Sequence, residues 1–211
     1  SSVIQWVLLL TVLAVAPAVA ILVTCFTRIV VVLGLLRQGL GSPQLPPNQV
    51  LFGLALLITL VVMAPVLQPA YEQGLRPYLA GELGGAAALS AAAGPVRQWM
   101  IEQIGRAGND ADVYLFLDKE RVGDADLTWD EVPTLSLVPA FVLSELKVAF
   151  TIGFRVFLPL VVIDLLVASV LVSVGMLMVP PVLISLPFKL LLFVLADGWH
   201  LVVETLMGSF G

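Results

Sequence analysis

The sequence predicts an all-α fold: two long hydrophobic helical hairpins separated by an acidic, partly helical insert. Three observations carry this. Of the 211 residues, 60% are AVILMFWYC and 12% are DEKR, against about 45–50% and about 25% in a soluble domain. Charge is segregated: residues 97–131 hold nine acids and four bases, while the rest of the chain carries six of each. The apolar remainder falls into long uncharged runs broken by proline-rich turns. Mean hydropathy is +1.06. Such a chain is neither disordered, nor a nucleic-acid binder, nor a solvent-coated globule. It belongs in a membrane or inside an apolar assembly. Its single cysteine, Cys25, cannot close an intrachain disulfide, and one cysteine with one histidine exclude a multi-ligand His/Cys zinc site. Composition divides the chain into an N-terminal hairpin at 1–67, the insert at 68–139 and a C-terminal hairpin at 140–211.

The first hairpin is built from uncharged runs at 1–27 and 38–71, each long enough for the roughly 20 residues that cross a hydrocarbon core. Its turn is 39–47, with Pro43, Pro46 and Pro47 as breakers and Asn48 as N-cap of the next helix. Arg28 and Arg37, assigned to the neighbourhood of this turn, put it on the cytoplasmic side. The insert then lies outside and the tip of the second hairpin inside. Residues 1–27 are too long for a signal-peptide core and read as a span of a processed chain.

In the insert, the Gly/Ala-rich stretch 81–93 reads as a linker or loop. Pro95 opens a helix at its first position. Val96, Trp99, Met100, Gln103 and Ile104 share one face of it, and Gly105 and Gly108 end it. Residues 112–121 suggest a second short helix. Thr128 and Glu131 form a capping box leading into the next helical region. The insert's carboxylates read as a solvated face. Asp124-x-Asp126-x-Thr128 opens like a calcium loop, but Trp129 stands where glycine is needed and Leu135 where glutamate is needed.

The second hairpin begins with a short run. Residues 165–179 number 15, about 22 Å as a helix against a core of about 30 Å. The helix is long enough only if it runs back through Pro159 and Arg155 toward Ser144. Pro180-Pro181 stops it, and a second helix runs from about 182 to 207. The tip is Gly175-Met176-Leu177-Met178-Val179-Pro180-Pro181.

Arg155, Asp164, Lys189, Asp197 and Glu204 are ionisable groups in apolar surroundings, costly in lipid unless they face protein or water. Pairing between helices or subunits, for instance Asp164 with Lys189, is favoured over an ion or proton relay. His200 reads as a helix-face hydrogen-bonder beside Trp199. Met176 and Met178 are either gap-fillers or a sealing element, since soft thioethers conform to changing shapes; the residues alone leave both open. No G-x-x-x-x-G-K-[ST], H-E-x-x-H or G-x-S-x-G is present, so neither an enzyme nor a bound cofactor is expected. A small-solute or ion transporter is a competing reading, drawn from Asp164, Lys189 and the proline-broken helices.

Several long blocks in order resemble the FliP family of the bacterial flagellar type III export apparatus. They are Thr24-Cys25-Phe26-Thr27-Arg28-Ile29, Leu35-Leu36-Arg37-Gln38-Gly39-Leu40-Gly41, Pro46-Pro47-Asn48-Gln49-Val50-Leu51-Phe52-Gly53, Ser144-Glu145-Leu146-Lys147-Val148-Ala149-Phe150, Ile163-Asp164-Leu165, the tip itself, Ser185-Leu186-Pro187-Phe188-Lys189 and Asp197-Gly198-Trp199. The injectisome paralogues share this plan but tend to carry serine where Pro180 stands, which leans the resemblance toward the flagellar branch.

The resemblance implies a helical, conical oligomer of about five such chains with FliQ and FliR in the bacterial inner membrane. Unfolded flagellar proteins pass through its centre, with no nucleic-acid partner. It assigns Met176, Leu177 and Met178 to a gasket around the closed pore, usually three methionines in the family, with Leu177 here making it stiffer. Gly175, Pro180 and Pro181 set the tip's geometry, and Arg155, Asp164, Lys189 and Asp197 serve as buried polar or assembly positions. It also implies that much apolar surface is covered by sister subunits rather than lipid.

Overall fold

A computed structural model describes residues 2–42, 45–117, 128–176 and 178–211. Among these, no strand occurs and eight α-helices follow one another: α1 (Ser2–Leu22), α2 (Phe26–Leu40), α3 (Asn48–Ala70), α4 (Arg76–Leu79), α5 (Gly85–Arg106), α6 (Thr134–Ser173), α7 (Pro181–Leu195) and α8 (Gly198–Gly208). Asn48–Leu79 and Thr134–Ser173 are long and apolar enough to cross a membrane, and α7 with α8 makes a third such span if the bent pair counts as one. The chain forms two compact units interleaved in sequence: Ser1–Thr27 with Thr59–Leu146, and Arg28–Ile58 with Lys147–Gly211.

In the first unit, α1 is interrupted sooner than hydropathy suggests. The helix stops at Leu22, and the Thr24 hydroxyl accepts from the Phe26 N–H to start α2. A local side-chain acceptor thus opens a new helix inside an uncharged run. After α3, a π-helical turn at Tyr71–Leu75 leads into α4. The expected 81–93 linker is largely helix, because α5 starts at Gly85. Alanine is the best helix former, and Gly74 lets the π-turn lie against this run: a Cβ there would come within 2.5 Å of Ala92 Cβ and 2.6 Å of the Ala88 carbonyl. Pro95 is therefore inside α5, not at its start.

The expected face of α5 is present: Trp99, Met100, Gln103 and Ile104 are buried, and Trp99 meets Phe141 edge-on at 5.3 Å. Gly108, at φ +66°, follows the helix end. The expected helix at 112–121 is instead a 3-10 turn at Asp110–Phe116 that ends in extended backbone at Leu117, and residues 118–121 lie outside the described ones. So do Asp124 and Asp126 of the calcium-like stretch. The capping box forms as expected: Glu131 accepts from the Thr128 N–H at 2.9 Å and from its hydroxyl at 3.0 Å. Arg97 donates to the carbonyls of Trp129 at 2.8 Å and Val132 at 2.6 Å, tying the start of α6 to α5. Of the insert's described acids, Asp112 departs from the solvated face and is buried.

The second unit is built on α2, whose Ile29, Val32, Leu33, Leu36 and Leu40 form one buried stripe at helical spacing. α2 and α6 run parallel, with Leu35 beside Gly153 and Gly39 beside Phe157 and Leu160. α6 carries the expected backward extension further than Ser144, to Thr134, and passes through Pro139 and Pro159 over 40 residues.

The expected helix 182–207 is broken at Asp197, whose φ of +49° ends α7 and starts α8 at a 64° bend. Phe193 and Trp199 pack edge-on at 5.4 Å across the elbow. Asn48 is not an N-cap: it is already helical, and its side-chain oxygen accepts from Arg37. Arg28 lies at the beginning of α2, away from the turn. It is 1% exposed, donates to the Ser209 carbonyl at 2.8 Å and hydroxyl at 3.0 Å, and sits 4.2 Å over the Phe210 ring. Of the two arginines, Arg37 alone stands beside the turn.

Candidate functional site

The candidate functional element is the tip of the α6–α7 hairpin, which lies within the second unit. α6 stops in a paired-bond terminus: the Met176 N–H reaches the Leu171 carbonyl at 2.9 Å and the Gly175 N–H reaches Val172 at 3.1 Å. This closure needs a left-handed residue after the last turn, and Gly175 supplies it at φ +78°. The return helix is set by proline at both positions. Pro180 is extended as the N-cap, and Pro181 occupies the first helical position, where its missing N–H costs no hydrogen bond.

Between these two stops both described methionines face outward on the single chain. Met176 is 46% exposed and Met178 95% exposed. Leu177, the third expected gasket residue, lies outside the described residues. The gap-filler reading of the two methionines does not hold within the protomer.

About three turns behind the tip, a polar brace joins the two arms. Lys189 Nζ lies 2.5 Å from Asp164 Oδ2, and the Ser185 hydroxyl donates to Asp164 Oδ1 at 2.5 Å. Lys189 also donates to the Gly39 carbonyl at 2.9 Å, bringing α2 into the same cluster. Lys189 is 1% exposed, and the Asp164 side chain keeps 29% of its surface. A charge buried this deeply is tolerated when it is paired and its remaining donors are used. Here Asp164 and Gly39 supply two acceptors from different helices.

The four ionisable positions thus divide. Asp164 and Lys189 come together, whereas Arg155 and Asp197 are exposed on the single chain. Those two depart from the expected burial because Arg155 borders open cavities shared with α2 and with α7 and α8, and Asp197 stands at the elbow. His200 Nε2 lies 3.8 Å from Glu204, with both side chains largely exposed. The Arg28–Ser209–Phe210 contact was missed by sequence reasoning. Its only signal is a lone arginine within an apolar run, with partners 181 positions away. Among the described residues, no group of three or more His, Cys, Asp and Glu side chains could hold a metal.

This geometry can present a small apolar knob on a stiffened stalk. Comparison with known proteins gives the chain its relatives. Residues 9–206 match the FliP family. The chain is 46% identical over 210 residues to the flagellar biosynthetic protein FliP of Bacillus subtilis (strain 168), covering 100% of this chain and 93% of that protein. It is 50% identical over 208 residues to the FliP of Caulobacter vibrioides, covering 99% and 76%. To the FliP of Pectobacterium carotovorum it is 47% identical over 207 residues, covering 98% and 78%. With the match running through both hairpins and the insert alike, the chain belongs to the FliP family.

Proposed function

We propose that this chain is a subunit of the flagellar type III protein export gate. About five copies assemble with FliQ and FliR at the bacterial inner membrane around a channel for unfolded flagellar proteins. The tips of the α6–α7 hairpins converge on the channel axis, where Met176, Leu177 and Met178 form a deformable apolar closure. The chain has no catalytic part in this; the energy for transport comes from other components.

The observation that carries the reading is Met178, 95% exposed between a glycine stop and a proline start. An exposed apolar tip that continues into further exposed apolar side chains marks an interaction surface. Leu165, Leu166, Val170 and Val172 extend this uncovered surface back along α6. A narrow apolar constriction blocks ions by dewetting, which a membrane holding an ion gradient requires of any polypeptide-wide pore. The transporter reading draws less support, because Asp164 is engaged by Lys189 and Ser185.

Native mass spectrometry of the chain extracted in detergent with its co-purifying proteins tests the assembly. A single complex of several copies with two further kinds of small apolar subunit is expected. A lone monomer or homodimer, stable without other chains, would contradict the proposal.

A further inference from the structure

We propose that the cavity lined by Asp110, Tyr114 and Trp129 in the insert receives the guanidinium of Arg76 from a neighbouring copy of this chain. The cavity measures about 160 Å³ and is completed by Val113 and Val132. That is below the roughly 300 Å³ at which small-molecule pockets begin, so it is sized for one side chain. Its lining selects a cation. The Asp110 carboxylate has no hydrogen-bond or ion-pair partner among the described residues. A Cβ at Gly105 would lie 3.7 Å from its Oδ1, which places it beside the last turn of α5. Tyr114 is 42% exposed, and Trp129 stands across the same cavity. Aromatic faces attract cations within about 6 Å. A planar guanidinium combines stacking on a ring with paired hydrogen bonds to a carboxylate. Asp110, Asp130 and Glu131 outnumber Arg97 in these surroundings, so they are net negative.

Charge complementarity picks the occupant. Arg97 is committed to the carbonyls of Trp129 and Val132, and Arg106 is engaged as well. Among the described residues of the insert, Arg76 is the base whose side chain has no partner, and it is exposed. It cannot reach the cavity of its own chain. Gly74 lies against Ala88 and Ala92, and Tyr78 reaches toward Gly85, so α4 runs along the first half of α5 and away from Asp110. Ala92 and Gly105 are 13 residues apart on α5, about 20 Å, which exceeds the span of an arginine side chain. A cation at one end of α5 and its receptor at the other suit a head-to-tail contact, which repeats from copy to copy. The inference rests on the multi-copy assembly proposed above and adds the contact that joins successive inserts.

The test uses the complex extracted in detergent from cells carrying R76K, whose amine a carbodiimide can join directly to a carboxylate. The expected product is a ladder of linked copies. Mass spectrometry of the digested bands should find position 76 of one copy joined to Asp110 of the next, and R76K/D110N should lack this product. Y114L should lower the yield about threefold, because the ring's attraction for the cation is lost. Exchanging the charges gives a second readout. R76D and D110R should each weaken retention of neighbouring copies in native mass spectrometry by about threefold, and the two together should restore it, which a merely structural role for either residue would not do. Helical circular dichroism reports whether each variant folds. An intact multi-copy complex without the link between 76 and 110 overturns this proposal alone. So does a link confined to the monomer band, or losses in R76D and D110R that simply add when combined. A link from position 76 to another kind of subunit gives Arg76 a different partner and overturns it equally. Extraction of monomers alone would overturn the multi-copy assembly and this contact with it.

Discussion

Cells carrying Met176→Gly together with Met178→Gly are expected to leak ions through an otherwise assembled gate. Met176 takes part in the end of α6 through its backbone N–H alone and Met178 precedes the first turn of α7, so removing their side chains leaves the helices and the brace intact. What changes is the width and apolarity of the closure. An apolar constriction excludes ions through the cost of wetting it. Each ~1.4 kcal/mol removed from that barrier multiplies flux about tenfold, and truncating two methionines per copy acts on several copies at once. Ion leak across the membrane should rise by at least about tenfold, and growth should slow in proportion to the lost gradient.

Met176→Leu with Met178→Leu separates softness from apolarity. Leucine keeps the closure dry but is branched and stiffer than the thioether chain. The resting gate should stay tight and the leak should appear only while a polypeptide is in transit. Background leak and normal export in the glycine pair would remove the gasket role.

The second large effect is expected at Lys189. Lys189→Met keeps the length of the side chain but leaves the Asp164 carboxylate with Ser185 alone and the Gly39 carbonyl without its donor. Removing one partner of a buried pair costs about 3–5 kcal/mol. Asp164 retains 29% of its side-chain surface, so some water returns to it and about 3 kcal/mol or less is expected. Asp164→Asn should also destabilise, because it strands the buried ammonium. Combining Lys189→Met with Asp164→Leu removes both charges and should recover much of the loss, as apolar replacement of a whole ion pair often does. Thermal unfolding of the four proteins in detergent reads this directly. Additive losses in the double variant would mean that the two side chains are not coupled and that the arms are held by packing alone.

The tip and its brace were legible because the sequence marks them with residues of narrow meaning. Proline pairs stop and restart helices, glycine permits the left-handed exit, and an acid and a base facing each other across a hairpin can pair. Asp164 and Lys189, 25 positions apart on opposite arms of one turn, are the pair named as an example among five such groups, and they do meet. Other features depend on contacts with weaker local marks. The break before Phe26 is made by a threonine side chain, and the elbow by an aspartate in a conformation usually reserved for glycine. The Ala-rich run of α5 looked like a linker because its composition is simple, yet its small side chains allow the close approach of Gly74. Arg28 looked like a turn residue and proved to be a buried anchor for the end of α8, since its partners lie at the far end of the sequence.

A gate closed by its hairpin tips requires the tips of neighbouring copies to meet. Cysteine at position 178 (Met178→Cys), treated in the assembled complex with a short bismaleimide, measures this most directly, with the buried native Cys25 changed to serine in the control and test proteins alike. A ladder of linked copies, dimer and upward, is expected, and it should be absent when the cysteine is placed at the exposed Leu195 on the elbow side. Unlinked monomers in which the same cysteine reacts freely with a lipid-dissolved maleimide would contradict it.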